Sequence, residues 1–510
     1  MIWRRRHTDE RQPWVFRAVL VAATLLLITG CGGEDPGPPE QVVTPDGNGL
    51  NVLVIVADAL RADVLGCYGG PVLTPNLDRL AASGVRFTRA YSTAPWTSPS
   101  SVSLMTGNHA SVYRNDITQV LEGRKSFYVP NSETTLPEHL ADAGYELVLN
   151  SHNPNSYISN NFQGFHKLVA DTAETWEPPL SNDQYRQLRA AVGLARRWEV
   201  HRRVAGFLNY LLHVPTERAF FGVCWINDPH SPYSPHGRFH SRVRYPEQGL
   251  GRRRHYYTRH KNLHLFDAYQ NQKLTPQEER LFFALYRAEV SSMDERVGFI
   301  LDILEQRGLL DKTLIIFTSD HGEAFNDHGQ FEHGRSYYEE LMRVPLLVSG
   351  PEVPVGQLVS SPVSHLDLMP TIRDLLAIDC DLDSQGQSYR LDLLGESQPA
   401  RSLYFDGVTN LGDNDFLDAA YHADYKLITN RSGEGAELYN LRTDPEELVN
   451  LAAEEPARVE RMMEFLAQNR AANARRMAAL GSSGSLDTLD LDDAEKAEIL
   501  KKLKSLGYVN

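Results

Sequence analysis

The sequence predicts an α/β domain, and three observations carry that prediction. Three short apolar, β-branched runs, Asn51–Ala57, Phe220–Ile226 and Thr313–Ser319, read as strands buried on both faces. Helical patterns over residues 76–83 and 276–307 fall between and beside them, and strands alternating with helices indicate a largely parallel sheet. Each run also ends in groups able to bind a metal or an anion: Asp58 after the first, Asn227, Asp228 and His230 after the second, Asp320 and His321 after the third. In open α/β sheets the ligand crevice lies at that edge.

With 510 residues, 42% hydrophobic and 23% charged, the chain is long enough for a large core and a cleft. A net charge of -15 argues against a nucleic-acid binder. Four cysteines exclude a disulfide-built scaffold, and none are paired at zinc spacing. At the N-terminus Arg4, Arg5, Arg6, Arg11 and Arg17 precede an apolar run over residues 18–28. That run is shorter than the roughly 20 residues a membrane helix needs and suits a signal-peptide core. It ends in I-T-G-C at Cys31, which resembles a bacterial lipobox, so residues 1–30 read as a lipoprotein signal peptide and Cys31 as the lipidated first mature residue. A short uncleaved anchor is the other reading. Residues 31–49, rich in Gly, Pro and acid, form a flexible tether. The signal segment carries a net +3, leaving a body near -18 that gains little from an anionic membrane surface; acyl chains must hold it there.

Within the body, residues 171–217 read as a charged helical segment, and residues 238–261 as a basic stretch that includes Arg242, Arg244, Arg252, Arg253 and Arg254. Together they place an insertion at about 171–275. Most charge runs are solvated faces; the functional reading is a rim guiding an anionic substrate. From residue 401 to 452 short strands (S-L-Y-F-D-G, Y-K-L-I-T-N, A-E-L-Y-N-L) predict a small antiparallel sheet, and residues 453–510 a helical tail broken by Gly and Ser at 481–484.

The ordered motifs from Asn51 to about Ala452 resemble the sulfatase branch of the alkaline phosphatase superfamily. They are N-V-L-V-I-V-A-D ending at Asp58, T-P-N-L-D-R-L from Thr74, T-S-P-S-S-V-S-L-M-T-G from Thr97, an A-G-Y at Tyr145, D-P-H-S-P from Asp228, and T-S-D-H-G-E from Thr318 with H-G at His328 and His333. Later come P-T at Pro370, E-L-Y-N-L-R-T-D-P from Glu437 and L-G-Y at Tyr508. The resemblance implies a catalytic domain over residues 50–400 with an alkaline-phosphatase-like central mixed, mostly parallel sheet flanked by helices. A small C-terminal antiparallel sheet and a helical tail complete it.

It also implies one divalent metal ion held by Asp58, Asp320 and His321, with Thr97 supplying a hydroxyl oxygen. A lone Asp at a strand end is more often a helix N-cap; three matched positions favour metal. Where family sulfatases carry a second Asp this chain has Ala59, and where they often carry Asn it has His321. Fewer oxygens and one imidazole shift preference from Ca toward Mn, Zn or Mg, with Mn or Zn favoured. Thr97 stands where sulfatases have the Cys or Ser that becomes formylglycine, and Ser101 where they have Arg. Threonine cannot form that aldehyde hydrate, so Thr97 would form a covalent ester that water opens at phosphorus or sulfur; the resemblance to phosphodiesterase and phosphoethanolamine-transferase relatives, in which Thr nucleophiles occur, weights the reading toward phosphorus esters. An N-cap role for a helix starting near Pro99 is the structural alternative for Thr97. His230 and His333 are candidates for holding the anion and protonating the leaving oxygen; His152, Asn153 and His328 are further substrate-binding candidates.

The function expected is thus a metal-dependent hydrolase of sulfate or phosphate esters, exported and lipid-anchored to the cell envelope through Cys31. It takes an anionic ester and does not act on nucleic acid. The alternatives are a phosphoethanolamine-type head-group transferase and a non-catalytic binding lipoprotein on the same fold.

Overall fold

The structure is a computed structural model that describes residues 48–480 except 116–125, 128, 152, 154–161, 166, 169–181, 192–201, 236–238, 240–273, 397, 400, 406–416 and 431–434. The signal segment, Cys31, His152 and the arginines of the basic stretch lie outside the described residues.

Asn51–Ala57 forms the central strand, β1, and every one of its residues is buried. Its side chains alternate between two apolar layers. Leu53 and Ile55 pack with Phe207, Leu208, Tyr286 and Ile300, whereas Val52, Val54 and Val56 pack with Leu104, Met105, Leu136 and Ile372. A continuous apolar run is what a strand covered on both faces requires. β1 pairs in parallel with Phe220–Ile226 (β2) on one side and Thr313–Ser319 (β3) on the other. Glu146–Asn150 (β4) continues beyond β2, also parallel. Beyond β3 the strand Arg343–Ser349 runs antiparallel and carries Val85–Tyr91 at its far side, so the nine-stranded sheet is mixed but mostly parallel.

Helices close both faces. The long helix Pro276–Gln306 (α1) starts at a capping box in which Thr275 Oγ1 accepts from the Glu278 N–H and the Thr275 N–H donates to the Glu278 carboxylate. On the other face lies Thr97–Thr106 (α2), ended by Gly107 in the left-handed region at φ 71°. All ten residues of α2 are buried although six are Ser or Thr, a costly composition for a packing helix.

β2 lies within the range 171–275 that the sequence suggests as an insertion, yet it is β1's direct neighbour; the described helices of that range are Asn182–Ala191 and Arg202–His213. The C-terminal antiparallel sheet has four strands, Leu403–Phe405, Leu417–His422, Tyr425–Asn430 and Glu437–Asn440, followed by the helix Pro456–Leu480. Among the described residues no helix is long and apolar enough to cross a membrane.

Candidate active site

Because β3, β1, β2 and β4 are parallel neighbours, their carboxyl ends open on one edge, and the polar residues after each run converge there. The chain turns sharply after β1: Ala59 takes a left-handed φ of 61°, and its N–H donates to Asp320 Oδ1 over 3.0 Å. The single hydroxyl proton of Ser319 is shared between the carbonyls of Ala57 and His321, 2.8 and 2.7 Å from Oγ, tying the two strand ends together.

Each acid has one oxygen fixed by the protein and one facing the centre. Asp58 Oδ2 accepts from Asn153 Nδ2 at 2.8 Å and from Trp225 Nε1 at 3.2 Å, while Oδ1 lies 3.5 Å from Thr97 Oγ1. Asp320 Oδ1 accepts from the N–H groups of Ala59 and His321; Oδ2 is buried 3.4 Å from His321 Nε2, with no partner among the described residues within ordinary hydrogen-bond geometry. Nδ1 of His321 donates to the carbonyl of Gly322 at 2.8 Å, which leaves Nε2 as the lone-pair nitrogen, 3.1 Å from Thr97 Oγ1. One ligand atom from each of Asp58, Asp320 and His321 falls within 4.8 Å of the others. Burial, and then the charge of Asp58, push the Asp320 carboxyl well above the carboxylate range. Burial pulls His321 down to about 3, so its imidazole is neutral. Two crowded buried acids, an oxygen without a partner and a neutral imidazole aimed at it fit a divalent cation.

Thr97 is the first residue of α2 and Trp96 flanks it, so Thr97 sits inside the first turn and does not cap the helix. Ser101, at the arginine position of the family motif, donates its hydroxyl to the Ser98 carbonyl. His333 lies beside this centre, its ring 4.4 Å from that of His321 and 4.9 Å from that of His230. The Gly334 N–H donates to the Pro95 carbonyl, tying the His333 turn to the chain just before Thr97. His230 rides on the loop after β2, which α1 anchors through an Arg296–Asp228 ion pair and through Glu289, which accepts from the Ser234 N–H. Burial, then the neighbouring His230, lower His333 to about 3.

The structure thus brings together Asp58, Thr97, Asn153, His230, Asp320, His321 and His333. His328 stands apart from them. Its Nδ1 is 3.0 Å from Glu340 Oε1, its Nε2 is 3.1 Å from the Glu446 carbonyl, and its ring stacks on Tyr338. Both nitrogens are committed to the protein. Three participants escaped the sequence reading: Trp225, Glu323 and Tyr233. Glu323 is fully buried; Oε1 lies 2.9 Å from His333 Nδ1 and Oε2 accepts from the Tyr233 hydroxyl at 2.8 Å. Burial raises its carboxyl to about 7.

A mostly parallel sheet with acids, imidazoles and a buried hydroxyl gathered at its carboxyl edge defines an alkaline-phosphatase-like hydrolase. The chain belongs to the sulfatase family: the family pattern named Sulfatase matches residues 50–378, and that of the N-sulphoglucosamine sulphohydrolase C-terminal region matches residues 326–472. It is a hydrolase of the sulfuric and phosphoric ester class. It is 27% identical to the choline-sulfatase of Rhizobium meliloti (strain 1021) over 448 residues, 79% of this chain and 82% of that one. Among solved structures it resembles BT4656 in complex with its substrate D-glucosamine-2-N,6-O-disulfate, at a TM-score of 0.64 and 19% identity, covering 84% of this chain and 98% of that one. It also resembles the phosphonate monoester hydrolase of Agrobacterium radiobacter, at a TM-score of 0.61 and 22% identity, covering 83% and 96%. Both likenesses concern the fold.

Proposed function

We propose that this protein hydrolyses phosphorus esters, and sulfate esters less well, through a covalent ester on Thr97. The reading rests above all on the meeting of Asp58 Oδ1, Asp320 Oδ2 and His321 Nε2 around the buried hydroxyl of Thr97. Asp58, Asp320, His321 and Thr97 would hold a divalent ion, Mn or Zn ahead of Mg or Ca because the donors include an imidazole. When bound, such an ion favours the ionised form of a nearby hydroxyl and offsets the charge of the transferred group.

Thr97 Oγ1 gives its proton to the ring of His333 or His230, attacks phosphorus or sulfur and forms a new X–O bond as the bond from X to the alcohol oxygen breaks. That oxygen leaves as the alcohol, taking a proton from His333 or His230. Water then adds to the same phosphorus or sulfur atom, the Thr97 ester bond breaks, the hydroxyl regains its proton, and phosphate or sulfate departs. Nothing in this cycle calls for the aldehyde hydrate that threonine cannot supply. Asn153 and Trp225 act on the cycle by orienting Asp58. The Arg-rich start, short apolar run and Cys31 support export with a lipid anchor at the cell envelope; Cys31→Ser should release the protein from membranes.

The test is a metal-reconstituted screen with aryl sulfate, phosphate monoester, phosphate diester and phosphonate esters. Thr97→Ala should lose at least about 10³-fold in kcat on the best substrate and fail to trap a phosphorylated or sulfated chain on acid quenching. Wild-type turnover surviving in Thr97→Ala refutes the assignment.

A further inference from the structure

The proposed cycle uses His333 but leaves unexplained why a glutamate with no exposed surface stands behind it. A carboxylate sealed from water costs several kcal/mol unless its partners compensate. Glu323 faces two neutral partners, the His333 ring and the Tyr233 hydroxyl, so packing alone would be served as well by an uncharged side chain. Its surroundings are built to hold it still. Gly322 packs so tightly that a Cβ there would lie 1.9 Å from the Glu340 carbonyl oxygen. The Glu323 N–H donates to that same carbonyl at 3.1 Å, and Arg61 Nη1 donates to the Glu323 carbonyl at 3.3 Å. The Tyr233 ring sits among Phe282, Tyr286 and Phe325, with centroids 4.9, 5.6 and 5.7 Å away.

We infer that Glu323, pinned by Tyr233, is a positioning residue that fixes the ring of His333 with Nδ1–H on the carboxylate, leaving the Nε2 lone pair to take up the proton that Thr97 releases and hand it to the substrate's leaving oxygen. A carboxylate only accepts, so it selects one tautomer and one rotation of a ring that would otherwise sample both. The ring so held lies against His321, whose Nε2 is 3.1 Å from Thr97 Oγ1, which places it beside the reacting centre. An amide in place of the carboxylate can donate as readily as accept, and so gives up that selection without altering the side chain's shape. The inference rests on the reading of His333 as the acid that protonates the leaving group.

The experiment uses the full, metal-loaded chain as wild type, Glu323→Gln, Tyr233→Phe, His333→Ala and the Glu323→Gln/His333→Ala double variant. Substrates are aryl esters whose phenols range in pKa from about 7 to about 10. Glu323→Gln should cost under about 3-fold in kcat for the 4-nitrophenyl ester and about 10- to 100-fold for the phenyl ester, with KM nearly unchanged. Tyr233→Phe should show the same trend at smaller amplitude, and the double variant should be no slower than His333→Ala. A loss uniform across leaving groups, or one that multiplies with His333→Ala, overturns the inference. Nitrogen-15 NMR of the histidines supplies a readout apart from turnover. His333 should be a single Nδ1–H tautomer in wild type and a mixture in Glu323→Gln; an unchanged tautomer also overturns the inference. If His333→Ala is insensitive to leaving group while the tautomer shifts, the acid reading of His333 falls and the positioning by Glu323 stands.

Discussion

Trp225 donates its indole N–H to Asp58 Oδ2 over 3.2 Å, across the boundary between two parallel strands. With Asn153 on the same oxygen, the bond turns Oδ1, the other oxygen, toward Thr97 and His321. Groups that orient metal-binding side chains in this way commonly contribute as much as a weak ligand.

Trp225→Phe keeps an aromatic ring, removes the donor and leaves a cavity where the larger indole was buried. Its expected result is a metal affinity lower by about 10- to 100-fold, read by competition with a chromophoric chelator, on top of a loss of about 1–3 kcal/mol in the metal-free protein from the cavity. Unchanged affinity would mean that Asn153 alone suffices to hold Asp58.

That contact also marks where sequence reading stops. Asp58, Asp320 and His321 were legible because unbroken apolar runs announce buried strands, and polar residues at their ends have few other places to go. Trp225 was not, since reading it requires knowing that Phe220–Ile226 lies beside Asn51–Ala57 and which face residue 225 takes. Glu323 was visible inside a motif, but its partnership with Tyr233 joins segments ninety residues apart. His328 looked like a site residue from the H-G pair it forms after T-S-D-H-G-E. Its left-handed backbone, φ 48°, sets the ring against Glu340 and Tyr338 instead. Thr97 as a helix cap failed because the helix begins two residues earlier than Pro99 suggests. The strand Leu417–His422 was missed because its middle, Asp418, Ala419 and Ala420, lacks the β-branched residues that signal a strand.

Removing metal should reveal the repulsion that the site stores. Asp58 and Asp320 are buried together, and among the described residues Asp320 Oδ2 has no hydrogen-bond partner. Asp320→Asn relieves one charge while its amide oxygen still accepts the Ala59 and His321 N–H groups. The metal-free variant should therefore be more stable than metal-free wild type, by about 1–3 kcal/mol in urea melts. Wild type should gain about 2.7 kcal/mol from metal at a hundred times its Kd, and the variant none. A variant less stable than wild type without metal would show that the two acids are not in conflict.

Lys426 has no exposed surface, and its Nζ lies 3.0 Å from Glu339 Oε1 and 2.6 Å from Glu447 Oε1. It reaches from the C-terminal sheet to the short helix Glu339–Met342, just before the strand Arg343–Ser349. Lys426→Ala strands the buried carboxylate of Glu447 and the part-buried one of Glu339 and should cost about 3–5 kcal/mol. Lys426→Met combined with Glu447→Gln should recover much of that loss. Equal losses in both proteins would mean that the charged contacts of Lys426 themselves, and not a stranded carboxylate, carry the stability.

His328 gives the clearest pH signature. Its ring nitrogens face Glu340 Oε1 and the carbonyls of Glu446 and Glu447, acceptors on both sides, so the arrangement suits the doubly protonated ring. Burial pulls its pKa down, but the bond and charge of Glu340 and the charge of Glu447 outweigh that and leave it above the ordinary histidine value. A group whose folded value is raised adds stability that is complete below its unfolded value, about 6.5, and is lost as pH climbs through the higher folded value. Wild type should therefore lose urea resistance as pH rises above about 6.5. His328→Gln, which keeps a donor but cannot carry charge, should be less stable than wild type at pH 6 and converge on it toward pH 8. Parallel pH profiles for the two proteins would mean that the ring stays neutral in the folded chain and that stacking on Tyr338 supplies its contribution.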